Sequence, residues 1–499
     1  MCWNLQVTSQ ARTEAGPGLA ARAAPVLIAG SVLLTITIGL LGPSAMVPGL
    51  EGPGWQPPYS LDARPSSHLV IALAALAVVL GGLGLLCGLR RTRALGEGVA
   101  RALVLGGCLA AAALAFLPPS GSADHLNYAA YGRMVTLGID PYVSGAADLP
   151  GDRVAAAVEA PWREEPSVYG PVATAVQALA SWVGGDSVRL TIFVMALVNA
   201  AAFIAAGLLL DRLTRDDPAL RLRAALLWTA NPLLLYQLVA GLHVDTLAIA
   251  FMVAALVVSA RGPALPEGAV SRGRLAASGA LLGLGVAVKL NVGLVALGPA
   301  WELRRRPRRL ALVAGVALGV ATLGYLWAGT HAFDQVSRAG KAISHASFWK
   351  LVQGWLQAVV GEGSAYRGEI QVGAVVVMAL LAWALFRLQP PPADAARVAA
   401  VLVVAYVFAT PYILPWYDGL AFALVAMVAA SRVDLFLTAH LTLLSLAYLP
   451  ARVDGQPADL EWLRTVVRQQ VVPWSLLALT AGLAWWAWRA AARARTRPE

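Results

Sequence analysis

One stretch of this chain concentrates side chains able to move a proton and hold a polyol. It reads Ser122-Ala123-Asp124-His125-Leu126-Asn127-Tyr128-Ala129-Ala130-Tyr131-Gly132-Arg133. As a helix it sets Asp124, Tyr128 and Tyr131 at i, i+4 and i+7, on one face. A carboxylate just outside a membrane helix end, backed by aromatic rings, can accept a hydroxyl proton while a ring stacks on a sugar. The same Asp124 reads equally as a helix N-cap with interfacial tyrosines, whereas the functional reading makes His125, Tyr128 and Tyr131 substrate-binding candidates.

Other polar residues interrupt apolar runs. Asn231-Pro232 breaks the run 222–240, because proline removes a donor and kinks the axis. Leu242-His243-Val244-Asp245 follows. His243 and Asp245 can bind a hydroxyl or a metal, or Asp245 can cap the next helix. Lys289, in Lys289-Leu290-Asn291, stands inside the apolar stretch 275–301. A lysine there is costly unless it faces a polar site or an anion, or snorkels to the interface. A lipid phosphate is its natural partner, with Arg133 as a second candidate cation and Asn291 beside it. Tyr169-Gly170-Pro171 opens another apolar stretch and can shape a cavity mouth. Thr410-Pro411-Tyr412-Ile413-Leu414-Pro415-Trp416-Tyr417-Asp418 is held extended by two prolines, and its rings fit a binding wall or an aromatic belt. The loop 329–370 adds His331, Asp334, His345 and Lys341, with an amphipathic stretch 343–360 expected to lie on the membrane. Neither those histidines nor Cys2, Cys87 and Cys108 have ligand or redox spacing. No disulfide framework is expected, and no metal site is read at these residues, while the need for a divalent metal stays open.

Elements must hold these groups, and composition says which kind. Of 499 residues, 58% are hydrophobic and 13% charged, about half the charged share of a soluble domain. Long apolar runs recur from Pro25 to Trp488, which excludes a soluble enzyme, a disordered chain and a coiled coil. The net charge of +10 then marks the cytoplasmic side of a bilayer rather than a nucleic-acid partner. Crossings are expected at 25–42, 68–89, 100–118, 189–210, 222–240, 245–260, 309–328, 371–388, 397–413, 418–431, 434–450 and 470–489.

Basic clusters settle two ambiguous stretches. Arg90, Arg91 and Arg93, then Arg212, Arg215, Arg221 and Arg223, are both cytoplasmic only if 166–185 lies in the outer membrane face without spanning. Arg261, Arg272 and Arg274, then Arg304, Arg305, Arg306, Arg308 and Arg309, flank 275–301 in the same way. That segment should go out and back as two arms of about 20 Å each, with Lys289 at the outer tip. Such broken backbone is tolerated where it lines a polar cavity. The expectation is an all-α polytopic membrane protein with about 14 crossings and both termini inside, in agreement with Arg489, Arg493, Arg495 and Arg497. The first run is longer than a signal-peptide core and is expected to stay. No phosphate-binding glycine loop or dinucleotide fingerprint is present. Chemistry is therefore expected at the outer face, on a donor that arrives through the membrane.

Taken in order, Asp124, Gly138-Ile139-Asp140-Pro141-Tyr142, Tyr169-Gly170-Pro171, Asn231-Pro232, His243-Val244-Asp245, Lys289 and Pro415-Trp416-Tyr417 resemble the GT-C membrane glycosyltransferases. They are most like the actinobacterial polyprenol-phosphate-mannose-dependent alpha-1,6-mannosyltransferases. The resemblance covers roughly residues 100–420, the expected catalytic core, between a tail with two helices (1–99) and C-terminal helices with a basic tail (421–499). Val244 stands where related sequences often carry a second polar residue. The resemblance implies a GT-C helical bundle in the cell membrane and a polyprenyl-phosphate-mannose donor. It also implies a lipid-anchored mannan acceptor of the lipomannan or lipoarabinomannan type, and inversion to an alpha product. Asp124 would then be the general base and Lys289 the holder of the donor phosphate. His243, Asp245, Tyr169, Trp416 and Tyr417 would shape the sugar pockets. The residues do not separate mannose from arabinose, glucose or galactose on the same carrier. A lipid or solute transporter is the other class, disfavoured because no internal repeat is visible and the polar residues gather at one face.

Overall fold

The computed structural model describes residues 19–90, 97–260, 270–333, 335, 342–389, 393–452 and 456–495. Arg91, Arg93, Arg261, Asp334, Lys341 and Arg497 lie outside the described residues. The described chain is helical throughout. Its main helices are α1 (Leu19–Leu41), α2 (Ser67–Leu89), α3 (Glu97–Ala115), α4 (Asp124–Thr136), α5 (Pro171–Gly184), α6 (Val188–Thr214), α7 (Pro218–Leu227) and α8 (Asp245–Ser259). They continue as α9 (Arg272–Val288), α10 (Leu297–Leu303), α11 (Pro307–Ala328), α12 (Trp349–Val360), α13 (Arg367–Phe386), α14 (Ala395–Ala409), α15 (Asp418–Ala426), α16 (Val433–Tyr448) and α17 (Val472–Arg495). Several starts are written locally. Ser66, Ser187, Asp217, Ser271 and Asp394 each accept a backbone N–H of the first turn.

Among the described residues, seven helices are long and apolar enough to cross a membrane: α1, α2, α3, α6, α11, α13 and the last, Ala458–Arg493. Four shorter apolar ones are Asp245–Ser259, Leu290–Leu303, Ala395–Ala409 and Val433–Tyr448. The expected count of about 14 crossings is not reached by length and composition. The reason is local. The run 222–240 stops as an α-helix at Leu227, and α15 has only nine residues. The apolar stretch 166–185 yields α5, whose 14 residues are too few to span. It lies against α4, where a Cβ on Gly132 would come within 2.1 Å of the Gln177 carbonyl oxygen, so only glycine allows this approach. The segment 275–301 breaks where its lysine stands. Residue Lys289 is extended (φ −153°, ψ 120°) between α9 and a 3-10 turn, Leu290–Ala296.

One continuous apolar core draws buried side chains from Ile38 to Ala487. Two basic residues of the expected cytoplasmic cluster are tied into it. Arg223 donates to both carboxylate oxygens of Asp434 at 2.6 and 2.7 Å and to the Val428 carbonyl. Arg221 grips Asp211 in the same way. Far from these, Arg452 bridges Glu159 and the Ser44 carbonyl, joining three loops at the other end.

Candidate active site

The interruptions converge on one site. After α7, Trp228 to Asn231 unwind. The Asn231 side chain accepts from Leu233 and Leu234 N–H and donates to the Leu227 carbonyl, so it restarts the helix after the break. It is fully buried in that task and is not brought to the cavity. The restarted turn widens into a π-helix at Leu235–Ala240, a form that recurs at functional sites. Leu242 then takes a left-handed conformation (φ +53°). For a leucine this costs about 1–3 kcal/mol, supplied by the surrounding packing. The turn folds His243 back onto Gly241, where a Cβ would sit 2.8 Å from the imidazole. His243 Nδ1–H thereby donates to the Gln237 carbonyl, a contact of 2.5 Å. The ring stacks on Trp416, with centroids 3.6 Å apart and planes 16° from parallel.

These restraints fix the tautomer. A buried imidazole that donates from Nδ1 presents a lone pair at Nε2. Burial and the nearby Lys289 ammonium lower the His243 pKa to about 3, against the Gln237 bond that raises it, so the ring is neutral. Nε2 has no hydrogen-bond partner and faces Asp124 Oδ2 at 3.6 Å.

Asp124 is the first residue of α4, not its cap. Ala123 holds that position and no side-chain capping bond forms. Its side chain keeps 31% exposure, so it remains open to a cavity. Desolvation nonetheless raises the carboxyl to about 6, opposed by Lys289 and by Ser122 and assisted by Asp245 and Glu159. A carboxylate of this strength is ionised at neutral pH yet basic enough to hold a proton.

Lys289 and Asp245 meet in the same place. The ammonium nitrogen lies 2.7 Å from Asp245 Oδ1 and 4.1 Å from the centre of the Tyr417 ring. The pair is 13% and 6% exposed. Asp245 Oδ2 has no partner. Asp245 stands in the first turn of α8, where the helix dipole favours an anion, and it too makes no capping bond.

Aromatic side chains complete the wall. Tyr128 and Tyr169 join hydroxyl to hydroxyl at 3.1 Å, with rings edge to face at 5.0 Å. Burial raises both phenols well above their usual value, so they remain protonated. Trp416 contacts Tyr448 edge to face at 5.1 Å and Tyr417 at 6.4 Å. Asp124, Tyr128, Tyr169, His243, Asp245, Lys289, Trp416 and Tyr417 are thus brought together.

Four other expected site residues are placed differently. Arg133 is paired with Asp152 at 2.7 Å and Asp186 at 2.6 Å. Nine residues after Asp124, it lies about 14 Å along α4 from it. The tyrosine at 131 donates to the Glu165 carbonyl, which anchors a loop. His125 is fully buried with both ring nitrogens unpartnered, and burial holds its pKa down at about 3. Asn291 stands in the 3-10 turn beside Lys289 with its Oδ1 buried and unpartnered. Sequence reasoning missed Tyr448 and the Gln237 carbonyl. Tyr448 carries no motif, and a backbone acceptor leaves no trace in residue types. Among the described residues, no group of three His, Cys, Asp or Glu could hold a metal.

Comparison with known proteins gives a family. The profile of a family described as alpha-(1->6)-mannopyranosyltransferase, N-terminal domain, matches residues 28–305. Alpha-(1->6)-mannopyranosyltransferase B of Corynebacterium glutamicum is 27% identical over 208 residues, 40% of this chain and 35% of that protein. Alpha-(1->6)-mannopyranosyltransferase A of the same organism is 26% identical over 331 residues, 61% of this chain and 66% of that protein. The matched part is therefore 35% and 66% of these relatives' lengths. Among solved structures, ArnT from Cupriavidus metallidurans bound to undecaprenyl phosphate aligns with 74% of this chain and 72% of its own, at 15% identity and a TM-score of 0.38.

Proposed function

From the premise that the chain belongs to the alpha-(1->6)-mannopyranosyltransferase family, we propose that it transfers mannose from polyprenyl-phosphate-mannose to a lipid-anchored mannan at the outer membrane face. The linkage made is alpha-1,6, with inversion from a beta-linked donor. One observation carries the reading: a part-exposed carboxylate at Asp124 lies within electrostatic reach of the Lys289 ammonium, which is itself held by Asp245 and Tyr417.

The acceptor hydroxyl is placed against Asp124 and opposite the donor phosphate. Its oxygen attacks the anomeric carbon as the bond from that carbon to the phosphate oxygen breaks. The electron pair leaves with the polyprenyl phosphate, and the hydroxyl proton passes to Asp124. Lys289 faces the charge that builds on the leaving phosphate. An ammonium has three donors, and one is taken by Asp245, which leaves others for phosphate. Placed before the reaction starts, such a cation stabilises the transition state without reorganisation. Tyr128, Tyr169, Trp416 and Tyr417 supply faces for sugar rings. The outer location follows from the basic clusters, with the membrane-borne donor reaching the site sideways from the bilayer.

The test uses purified protein in detergent with polyprenyl-phosphate-mannose and an alkyl mannoside. Release of free polyprenyl phosphate together with an alpha-1,6-linked dimannoside is expected. No release, with the protein folded and both substrates present, refutes the proposal. Release from an arabinose, glucose or galactose donor but not from the mannose donor corrects the sugar.

A further inference from the structure

We infer that His243 is a positioning residue for Asp124, an imidazole that presents only an acceptor to Asp124 and takes a hydrogen bond from its carboxyl once that group has received the acceptor's proton. This rests on the proposal that Asp124 is the base. Nothing in the family match assigns the role.

The geometry is built to hold a lone pair toward the carboxylate. A leucine at φ +53°, a glycine with no room for a Cβ and a π-helix all lie within eight residues of His243. Together they aim Nδ1–H at the Gln237 carbonyl. Trp416 covers one face of the ring. Only Nε2 remains, fully buried, unpartnered and 3.6 Å from Asp124 Oδ2. A lone pair facing an ionised carboxylate repels it, and 3.6 Å is longer than a hydrogen bond. Protonation reverses the sign. A carboxylic acid donates to that nitrogen after a small side-chain rotation. The proton moves from acceptor hydroxyl to Asp124 Oδ2 and stays bonded to that oxygen. His243 accepts a hydrogen bond and takes no net proton, in keeping with its depressed basicity. Bonding to the neutral form of an acid strengthens the base.

Other charged and titratable groups act on this pair and are unchanged by substitution at 243. Lys289 and Ser122 favour the ionised carboxylate, whereas Asp245 and Glu159 oppose it. Tyr128, Tyr131, Tyr169, Tyr412, Tyr417 and Tyr448 also feel its charge. On the imidazole side, His125 and, beyond it, Arg452 complete the set.

The experiment is the pH profile of kcat/KM in the detergent assay with polyprenyl-phosphate-mannose and an alkyl mannoside. In H243N the amide keeps a donor for the Gln237 carbonyl but has nothing at the Nε2 position. In H243F the ring and its stacking on Trp416 remain but both nitrogens are gone. In both variants the acidic limb, near pH 6 in the parent, moves down by about one pH unit. The plateau falls by up to about tenfold, as Brønsted behaviour requires of a weaker base. A lower plateau with an unmoved limb in both variants overturns the inference, because losing a bond made only to the protonated carboxyl must lower its proton affinity. The parent protein gives an arm that needs no variant. With 15N-labelled histidine, His243 should appear as the neutral Nδ1–H tautomer from pH 5 to 8, and an imidazolium or an Nε2–H form overturns the inference. D124N separates the two readings. If D124N keeps full activity, the base assignment falls; if D124N is inactive while the limb stays fixed in the His243 variants, only the positioning role falls.

Discussion

Lys289 has two roles that can be pulled apart. It neutralises Asp245, and by the proposal it also faces the donor phosphate. Lys289→Met removes the charge and keeps the stem. Asp245 would be left 6% exposed with neither oxygen paired, because Oδ2 already lacks a partner. Breaking a buried pair from one side costs about 3–5 kcal/mol of stability. The loss of a charged hydrogen bond to phosphate, about 1.5–3 kcal/mol, weakens donor binding by about 10- to 150-fold. A third effect must be subtracted. Lys289 holds the Asp124 carboxyl down, so its removal raises that pKa above about 6 and shifts the acidic limb upward. At pH 7 the parent carboxyl is about nine-tenths ionised, and a rise of one unit leaves about half, a loss of about twofold at most. The double variant K289M/D245N removes both charges and should recover most of the stability. It should not recover donor affinity. The assays are thermal unfolding in detergent and donor KM at saturating acceptor. If K289M leaves the donor KM unchanged, or if K289M/D245N restores it, Lys289 is a partner for Asp245 alone and has no contact with phosphate.

Asp124→Asn should lower turnover by about 10²- to 10⁴-fold while purification and unfolding temperature stay normal, since the side chain is part-exposed and caps nothing. In the parent enzyme kcat/KM should fall tenfold per pH unit below about 6, because only the ionised carboxylate accepts the proton. Arg133→Met should lower stability by about 1–3 kcal/mol through loss of its bonds to Asp152 and Asp186, with the donor KM unmoved; a raised donor KM would return Arg133 to the phosphate. Asp434→Ala should destabilise the protein by about 3–5 kcal/mol, leaving Arg223 buried and uncompensated, and an unaltered unfolding temperature would refute that reading of the pair.

What was legible followed from residues that are costly in an apolar run. Lys289 announced a break, and the backbone is extended there. Asn231-Pro232 announced another, and the α-helix stops at Leu227, four residues before Asn231. Asp124, Asp245 and His243 stood out because each is expensive to bury without a reason. Their meeting was not legible, since it depends on how four separated segments pack. Nor was the division of labour among them. Asn231 and Arg133 have the same chemical credentials as His243 and Lys289, yet one restarts a helix and the other ties α4 to its neighbours. Residue type states what a group can do, and only partners state what it does. Length and composition alone do not confirm the crossing count, because this chain unwinds runs at Trp228 and at Met427, where α15 ends.

Those unwound places explain why the site sits where it does. An unbroken membrane helix satisfies its own backbone and offers a ligand only side chains. A break releases backbone groups and costs energy unless something rebonds them. Here the released groups are rebonded by one residue of the site, His243, and by Asn231 outside it. The Gln237 carbonyl, in the widened turn, accepts from His243. Asn231 rebonds Leu233 and Leu234. Trp416 and Tyr417, in the turn that Pro415 opens, cover His243 and Lys289. At His243 and Trp416 the group that stabilises an interruption also belongs to the site, which makes the site's geometry part of the fold's stability there. Substitutions at 243 and 416 should therefore act on activity and unfolding temperature together, whereas those at 124, whose carboxylate stabilises no break, should act on activity alone.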